Sequence, residues 1–213
     1  GNVVFNLSNP TPTEVSLSTS SLTFTTSDWD TAQTVTMTGV DDVASDGDVT
    51  TTITISVNTG STADTVYDAL GSQTVVVTTT DDDSAGITIT PTGGSTAVSE
   101  TGTTDTFTVV LNTLPTSSVV IDISSADGTE TSISPSTLTF TTGDWNTAQT
   151  VTVTGVDDDL DDGNQASNVL VDVNNGSTSD GNYSGLATIN VGVTTTDDDT
   201  SNFTITETAG TSV

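Results

Sequence analysis

One segment of this chain is written twice. SSLTFTTSDWDTAQTVTMTGVDD, from Ser20 to Asp42, returns as STLTFTTGDWNTAQTVTVTGVDD, from Ser136 to Asp158, at an offset of 116 residues measured from Trp29 to Trp145. The same offset, without a gap, carries Glu14 onto Glu130, Gly60 onto Gly176, Tyr67 onto Tyr183, Leu70 onto Leu186, and Asp81-Asp82-Asp83 onto Asp197-Asp198-Asp199. Self-similarity over such a period means one structural unit used again. The 213 residues therefore read as successive copies of a small domain rather than as one large one.

Within the repeat, apolar residues alternate with Thr and Ser in TVTMTGV, TTITISV, TFTVVL and VVIDIS. A period of two in β-branched residues is that of half-buried strands. Low hydrophobic content (31%) and a net charge of −29 would otherwise mark disorder, but a disordered chain does not keep that period. In the complete copy the pattern predicts seven strands: Ala85 to Thr90 continuing to Glu100, Asp105 to Leu111, Ser118 to Ser124, Thr131 to Phe140, Ala148 to Val156, Asn168 to Val173 and Ala187 to Thr195. Helix signals are missing. The expected fold is all-β, a tandem of immunoglobulin-like Greek-key β-sandwiches stacked head to tail as a rod.

The boundaries follow from the offset. Residues 1–83 read as a sandwich lacking its first two strands, 84–199 as a complete one, and 200–213 as the first strand of a following sandwich and a candidate donor strand, with Phe203 and Ile205 falling on Ile87 and Ile89. Because the only methionine is Met37, the chain is expected to be a processed subunit or a window on a longer array. Trp29 and Trp145, at one repeat position, are expected at a structural edge or as an inter-domain plug.

The chain has 29 Asp plus Glu and no Lys, Arg, His or Cys. Nucleic acid and anionic membrane are excluded as partners, and no apolar run approaches the roughly 20 residues of a membrane span. Without imidazole, thiol, amine or guanidinium, general-base, nucleophilic and phosphate-clamping chemistry lack their usual groups, so no enzyme is expected. Alternating strand directions gather Glu100, Asp127, Glu130, Asp157, Asp158, Asp159, Asp161, Asp162, Asp197, Asp198 and Asp199 at one pole of the complete copy, while the other pole is mostly neutral. Two carboxylates about 4 Å apart at an effective dielectric near 20 repel by roughly 4 kcal/mol, so several such pairs oppose a domain stability of about 5–15 kcal/mol. No basic side chain relieves this, so protonation or a cation must. Ca²⁺, with its flexible shell of about 6–8 oxygens, suits clustered Asp better than Mg²⁺ does, and Zn²⁺ lacks His and Cys here.

LTF followed by TVTVTGVDD, the terminal Asp run, and Val98-Ser99-Glu100 resemble the Calx-β domain of sodium–calcium exchangers and of large bacterial surface adhesins, and DWNTAQTVTVTGVDD looks like the adhesin branch. The resemblance covers nearly the whole chain. It implies calcium held by Glu100, Asp157, Asp158, Asp162, Asp197, Asp198 and Asp199 in the second copy, and by Asp41, Asp42, Asp46, Asp81, Asp82 and Asp83 in the first, where Glu14 matches Glu130. The first copy departs at Val43 and Ser45, which replace Asp159 and Asp161, and is expected to hold fewer ions or hold them more weakly. The function expected is that of a calcium-stabilised extracellular or cell-surface fibre or adhesin stalk, of bacterial origin, whose partners are copies of itself or adjoining repeats met head to tail, through strand complementation in one form. The alternative is an adhesin module that grips polysaccharide or a host surface protein.

Overall fold

The computed structural model describes residues 1–206, which contain no α-helix. The chain divides into two compact units, Gly1–Asp83 and Ser84–Val213. The first unit comprises β1 (Val3–Ser8), β2 (Val15–Leu17), β3 (Ser21–Phe24), β4 (Met37–Gly39), β5 (Val49–Val57) and β6 (Gln73–Thr79). They form an antiparallel sheet in the order β3-β1-β5-β6 and a second pair, β2-β4.

The second unit comprises β7 (Ile87–Pro91), β8 (Thr96–Ser99), β9 (Thr104–Leu111), β10 (Val119–Ser125), β11 (Thr131–Ser134), β12 (Thr137–Phe140), β13 (Gln149–Gly155), β14 (Gln165–Val173) and β15 (Ile189–Thr196). Its sheets are β12-β10-β14-β15-β8 and β11-β13-β9-β7. The repeat offset maps β1 through β6 onto β10 through β15 in order.

Two of the seven expected strands prove to be broken, each changing sheets midway. The stretch read as one strand from Ala85 to Glu100 is interrupted at Thr92–Gly94, where Gly93 and Gly94 take positive φ (74° and 89°) that side chains disfavour. Before the break β7 pairs antiparallel with β9; after it β8 pairs parallel with β15, Val98 opposite Thr195. The stretch from Thr131 to Phe140 divides at Pro135, which has no N–H for a ladder, so β11 pairs with β13 and β12 with β10. The first switch is what lays Glu100 beside the end of β15.

Between the two sheets of the second unit the inward rows close an apolar core: Phe107, Val109 and Leu111 of β9 and Val151 and Val153 of β13 face Ile121, Ile123, Val169, Val171, Val191 and Val193. At the neutral end the buried Tyr183 hydroxyl donates to the Thr113 carbonyl (2.7 Å) and accepts from the Thr113 amide (3.1 Å). The buried Asp180 carboxylate accepts from the Thr116 amide and hydroxyl and from the Asn182 amide (2.5, 2.9 and 2.8 Å). Asp28 and Asp144 each close a turn on Thr25 and Thr141.

Trp145 is half-buried against the second unit's core, whereas Trp29 is 69% exposed. In the first unit Phe5, Phe24, Trp29 and Tyr67 line an open cavity of about 540 Å³, because among the described residues no strand covers them as β7 and β9 cover the second unit. Residues 201–206 form no strand, and Phe203 and Ile205 are 82% and 77% exposed. The remainder of the expected donor strand lies outside the described residues.

Candidate metal centre

The pole of the second unit is built on the ends of β8, β15, β13 and β11. Glu100 follows β8, and its amide donates to the Thr196 carbonyl at the end of β15 (3.1 Å). The turn after it closes on Ser99, whose carbonyl accepts from Gly102 and Thr103 (3.1 and 3.3 Å), while the Gly155 amide at the end of β13 donates to the Thr103 carbonyl (3.0 Å). Glu130 precedes β11. These supports place the carboxylates in two overlapping groups, Glu100–Glu130–Asp162 and Glu100–Asp197–Asp199, in each of which one oxygen per residue lies within 4.8 Å of the others. Glu100 belongs to both.

A second layer of bonds shapes the loops from within. Asp197 accepts from the Gly163 amide (2.6 Å) and the Asp199 amide (2.8 Å), and its own amide donates to Asn164 (3.2 Å). The first unit repeats all three: Asp81 accepts from Gly47 (2.7 Å) and Asp83 (2.9 Å), and its amide donates to Asp48 (3.0 Å). Gly47 and Gly163 both sit at positive φ, 83° and 76°, the left-handed conformation in which glycine turns its amide inward without strain. Likewise Asp42 accepts from Ala44 and Asp158 from Leu160, both at 2.8 Å. Asp48 and Asn164, absent from the sequence-derived ligand set, are positioning groups; their pairing across the repeat as near-isosteres was the signal for them.

The acids divide into two kinds. The Asp83 and Gly47 amides hold the Asp81 carboxyl below its ordinary range, Thr129 does so for Asp127, and Ser201 for Asp161. Burial and neighbouring charge act the other way on Glu100, Glu130 and Asp199. Burial pushes Glu100 up, and Asp197, Asp158 and Glu130 add repulsion against a single bond from the Asp198 amide. Glu130 is raised by burial, then by Asp162, Asp127, Asp158 and Asp197, and Asp199 by burial, then by Asp198, Asp197, Asp159 and Asp157. Glu100 is 1% exposed and Glu130 4%, yet Glu100 Oε2, Glu130 Oε2 and Asp199 Oδ2 are buried with no hydrogen-bond partner. Orphaned buried carboxylate oxygens are costly unless a proton or a cation meets them. Among the described residues the one ion pair is the Gly1 amino group with Asp64, at 3.6 Å.

In the first unit Glu14, Asp42 and Asp46 form the corresponding group, within 4.8 Å. They line an acidic cavity of about 240 Å³ together with Asp41, Asp81, Asp82, Asp83 and Thr79. Glu14 is raised by burial and then by Asp46, Asp42 and Asp81; Asp83 by burial and then by Asp81, Asp82, Asp41 and Asp42.

Of the acids singled out from sequence, Glu100, Glu130, Asp162, Asp197 and Asp199 converge in the second unit, with Asp157, Asp158, Asp159 and Asp198 close enough to act on them electrostatically. Asp127 lies outside those groups but acts on Glu130 electrostatically and accepts from the Thr129 hydroxyl (2.5 Å), and Asp161 accepts from the Ser201 amide (2.6 Å) of the segment leaving the pole. The donor set is carboxylate oxygen throughout, which fits a hard divalent cation such as Ca²⁺.

No protein-family model and no curated protein matches the chain. Solved structures of similar build include surface layer protein SbsC, domains 1–6 (14% identity, TM-score 0.40, covering 92% of this chain and 20% of that one). Others are SSP-19, an MSP-domain protein like family member in Caenorhabditis elegans (15%, 0.34, 51% and 97%), and the apo-form Calx CBD1 domain (16%, 0.34, 53% and 98%). The chain spans a fifth of the six-domain SbsC chain. The sheet registers themselves define the class: an all-β protein of β-sandwich units, each with a carboxylate-lined pole.

Proposed function

We propose that the chain is a structural segment of a cell-surface or extracellular fibre or stalk, whose sandwich units are stiffened by Ca²⁺ at their acidic poles and meet copies of themselves or adjoining repeats head to tail. The observation that carries this reading is the set of orphaned buried oxygens on Glu100, Glu130 and Asp199 in a chain with no basic side chain. A cation that binds only the folded pole stabilises it by mass action, about 2.7 kcal/mol when present at 100 times its dissociation constant. Glu100, Glu130, Asp162, Asp197 and Asp199 would hold ions in the second unit, and Glu14, Asp42, Asp46, Asp81 and Asp83 in the first.

The test is thermal unfolding and electron microscopy of the chain with calcium and after its removal by chelation. The expected result is a rise in melting temperature of at least several degrees with millimolar Ca²⁺, and filaments or rods that loosen on chelation. Equal melting temperatures and unchanged particles in both conditions would sink the reading. The aromatic-lined cavity of Phe5, Phe24, Trp29 and Tyr67 favours a second reading, an adhesin module that takes polysaccharide; binding on a glycan array, abolished by Trp29→Ala, would establish it.

A further inference from the structure

Beneath the second unit's carboxylates lies a layer of hydroxyls that the strand pattern alone leaves unexplained. The inward row of β15 runs Val191, Val193, Thr195 and then reaches Asp197; the inward row of β8 runs Thr96, Val98 and reaches Glu100. On β14, Ser167 continues the row of Val169, Val171 and Val173 toward the same pole. Ser167 pairs with Val193 and Thr195 with Gln165 across β14 and β15, while Thr195 lies opposite Val98 on its other side. The two hydroxyls are therefore diagonal neighbours between the apolar core and the acids.

Both are orphaned: Thr195 Oγ1 and Ser167 Oγ are buried without a hydrogen-bond partner, as are Glu100 Oε2 and Glu130 Oε2. The first unit provides an internal control. There the equivalent positions are Thr79 and Thr51, and both are occupied: Thr79 Oγ1 donates to the Glu14 carbonyl (3.4 Å), and Thr51 Oγ1 pairs with Thr11 Oγ1. Thr11 stands where the second unit has Asp127, which is engaged with Thr129 instead. An unpartnered buried hydroxyl costs roughly 1–3 kcal/mol relative to a satisfied one, and two on adjacent strands at the floor of one acidic centre need a common explanation.

We propose that Thr195 and Ser167 form the floor of the second unit's metal centre, where their hydroxyls become donors to the innermost oxygens of its ligand set once an ion is bound. This rests on the calcium reading above and adds two neutral positioning residues to it. Without an ion these hydroxyls have nothing to satisfy them; with one, the ligand oxygens drawn around it supply acceptors, so the benefit falls on the loaded state alone. In the first unit the same positions are spent on internal bonds and give no such selective gain.

The test uses the whole chain with Glu14→Gln, Asp42→Asn and Asp46→Asn, so that calcium uptake reports the second unit. Calorimetric titration with Ca²⁺ is compared before and after adding Thr195→Val with Ser167→Ala, and separately with Thr195→Val and Thr195→Ser alone. The expected result is calcium affinity about tenfold weaker in the double variant, in line with the loss of groups that orient metal ligands, a smaller loss for Thr195→Val, and near-full affinity for Thr195→Ser. The calcium-free melting temperature should stay level or rise. Unchanged affinity in the double variant would overturn the proposal while leaving the calcium reading intact, as would a lower calcium-free melting temperature with affinity unaltered, the mark of a purely structural role. A parent that takes up no Ca²⁺ overturns both.

Discussion

Gly155 lies so close beneath Ser99 that a Cβ built on it would stand 2.0 Å from the Ser99 carbonyl oxygen and 2.6 Å from its carbon. Both obstacles are backbone and cannot swing away, so the Glu100 corner is seated on a bare glycine. Gly155→Ala should push that corner off the pole, costing about 1–3 kcal/mol as overpacking does and weakening calcium binding. The matching Gly39→Ala meets only the methyl of Thr79, at 3.1 Å, and should change far less. Thermal unfolding of the two variants with and without Ca²⁺ makes the comparison; equal effects would contradict it.

Glu100→Gln and Glu130→Gln keep shape and remove a repelled charge. Each should raise the calcium-free melting temperature and reduce calcium affinity by more than about tenfold, since charge count sets affinity at such sites. A variant that loses stability without calcium would show that its carboxylate is held by something other than a cation.

Acidity should act in opposite directions on the free and loaded protein. Glu14, Asp83, Glu100, Glu130 and Asp199 are raised above ordinary values of 4.5 and 3.8, so the folded state holds their protons more tightly than the unfolded state. The stability they give is full below those ordinary values and lost as pH rises through the raised ones. Asp28, Asp81, Asp127, Asp144, Asp161 and Asp180 are lowered, and their contribution is lost as pH falls through their depressed values. The calcium-free melting temperature should therefore peak near about pH 4 and decline toward neutrality. The increment added by Ca²⁺ should grow over the same rise, as the ion no longer competes with protons. Melting curves from pH 3 to 8 in calcium-depleted and calcium-containing buffer read both.

Asp161 and Asp162 are neighbours with different duties. Asp161→Asn should leave calcium affinity within about threefold and speed hydrogen exchange at the Ser201 amide, whose acceptor it is. Asp162→Asn should lower affinity without that change. Reversed results would exchange the two roles.

At the neutral end Asp180 is buried. Burial pushes its carboxyl up, but bonds from Asn182 and Thr116 outweigh this and hold it low. Asp180→Ala strands those donors and should cost the second unit about 2 kcal/mol, equally with and without calcium. Dependence of that loss on Ca²⁺ would place Asp180 in communication with the far pole.

Strand identity and the gathering of acids were legible because both follow from periodicity: alternation sets which side chain points inward, and the offset of 116 brings Asp81–Asp83 and Asp197–Asp199 into the same role. The sheet switches at Gly93-Gly94 and Pro135 were also written in the chain, as residues that break ladders, but an uninterrupted Thr-rich alternation masked them. The hydrogen bonds of Asp127 and Asp161 were not legible. A carboxylate's direction depends on which amide is nearest, and those amides, Thr129 and Ser201, are set by loop geometry rather than by composition. The same holds for Thr195 and Ser167, which look like any other Thr and Ser until register places them at the core's polar end.

The three bonds made by Asp81 recur at Asp197, and in both loops every partner is a protein group. Loading such a pole need not order a loop. Its cost is electrical rather than conformational, so uptake should leave far-UV circular dichroism unchanged and give a heat-capacity change near zero, unlike coupled folding and binding. A sensor must move when its ion arrives. A pole closed by its own hydrogen bonds is expected to keep its shape on filling, as a rivet hole keeps its shape around the rivet, and to gain resistance to unfolding.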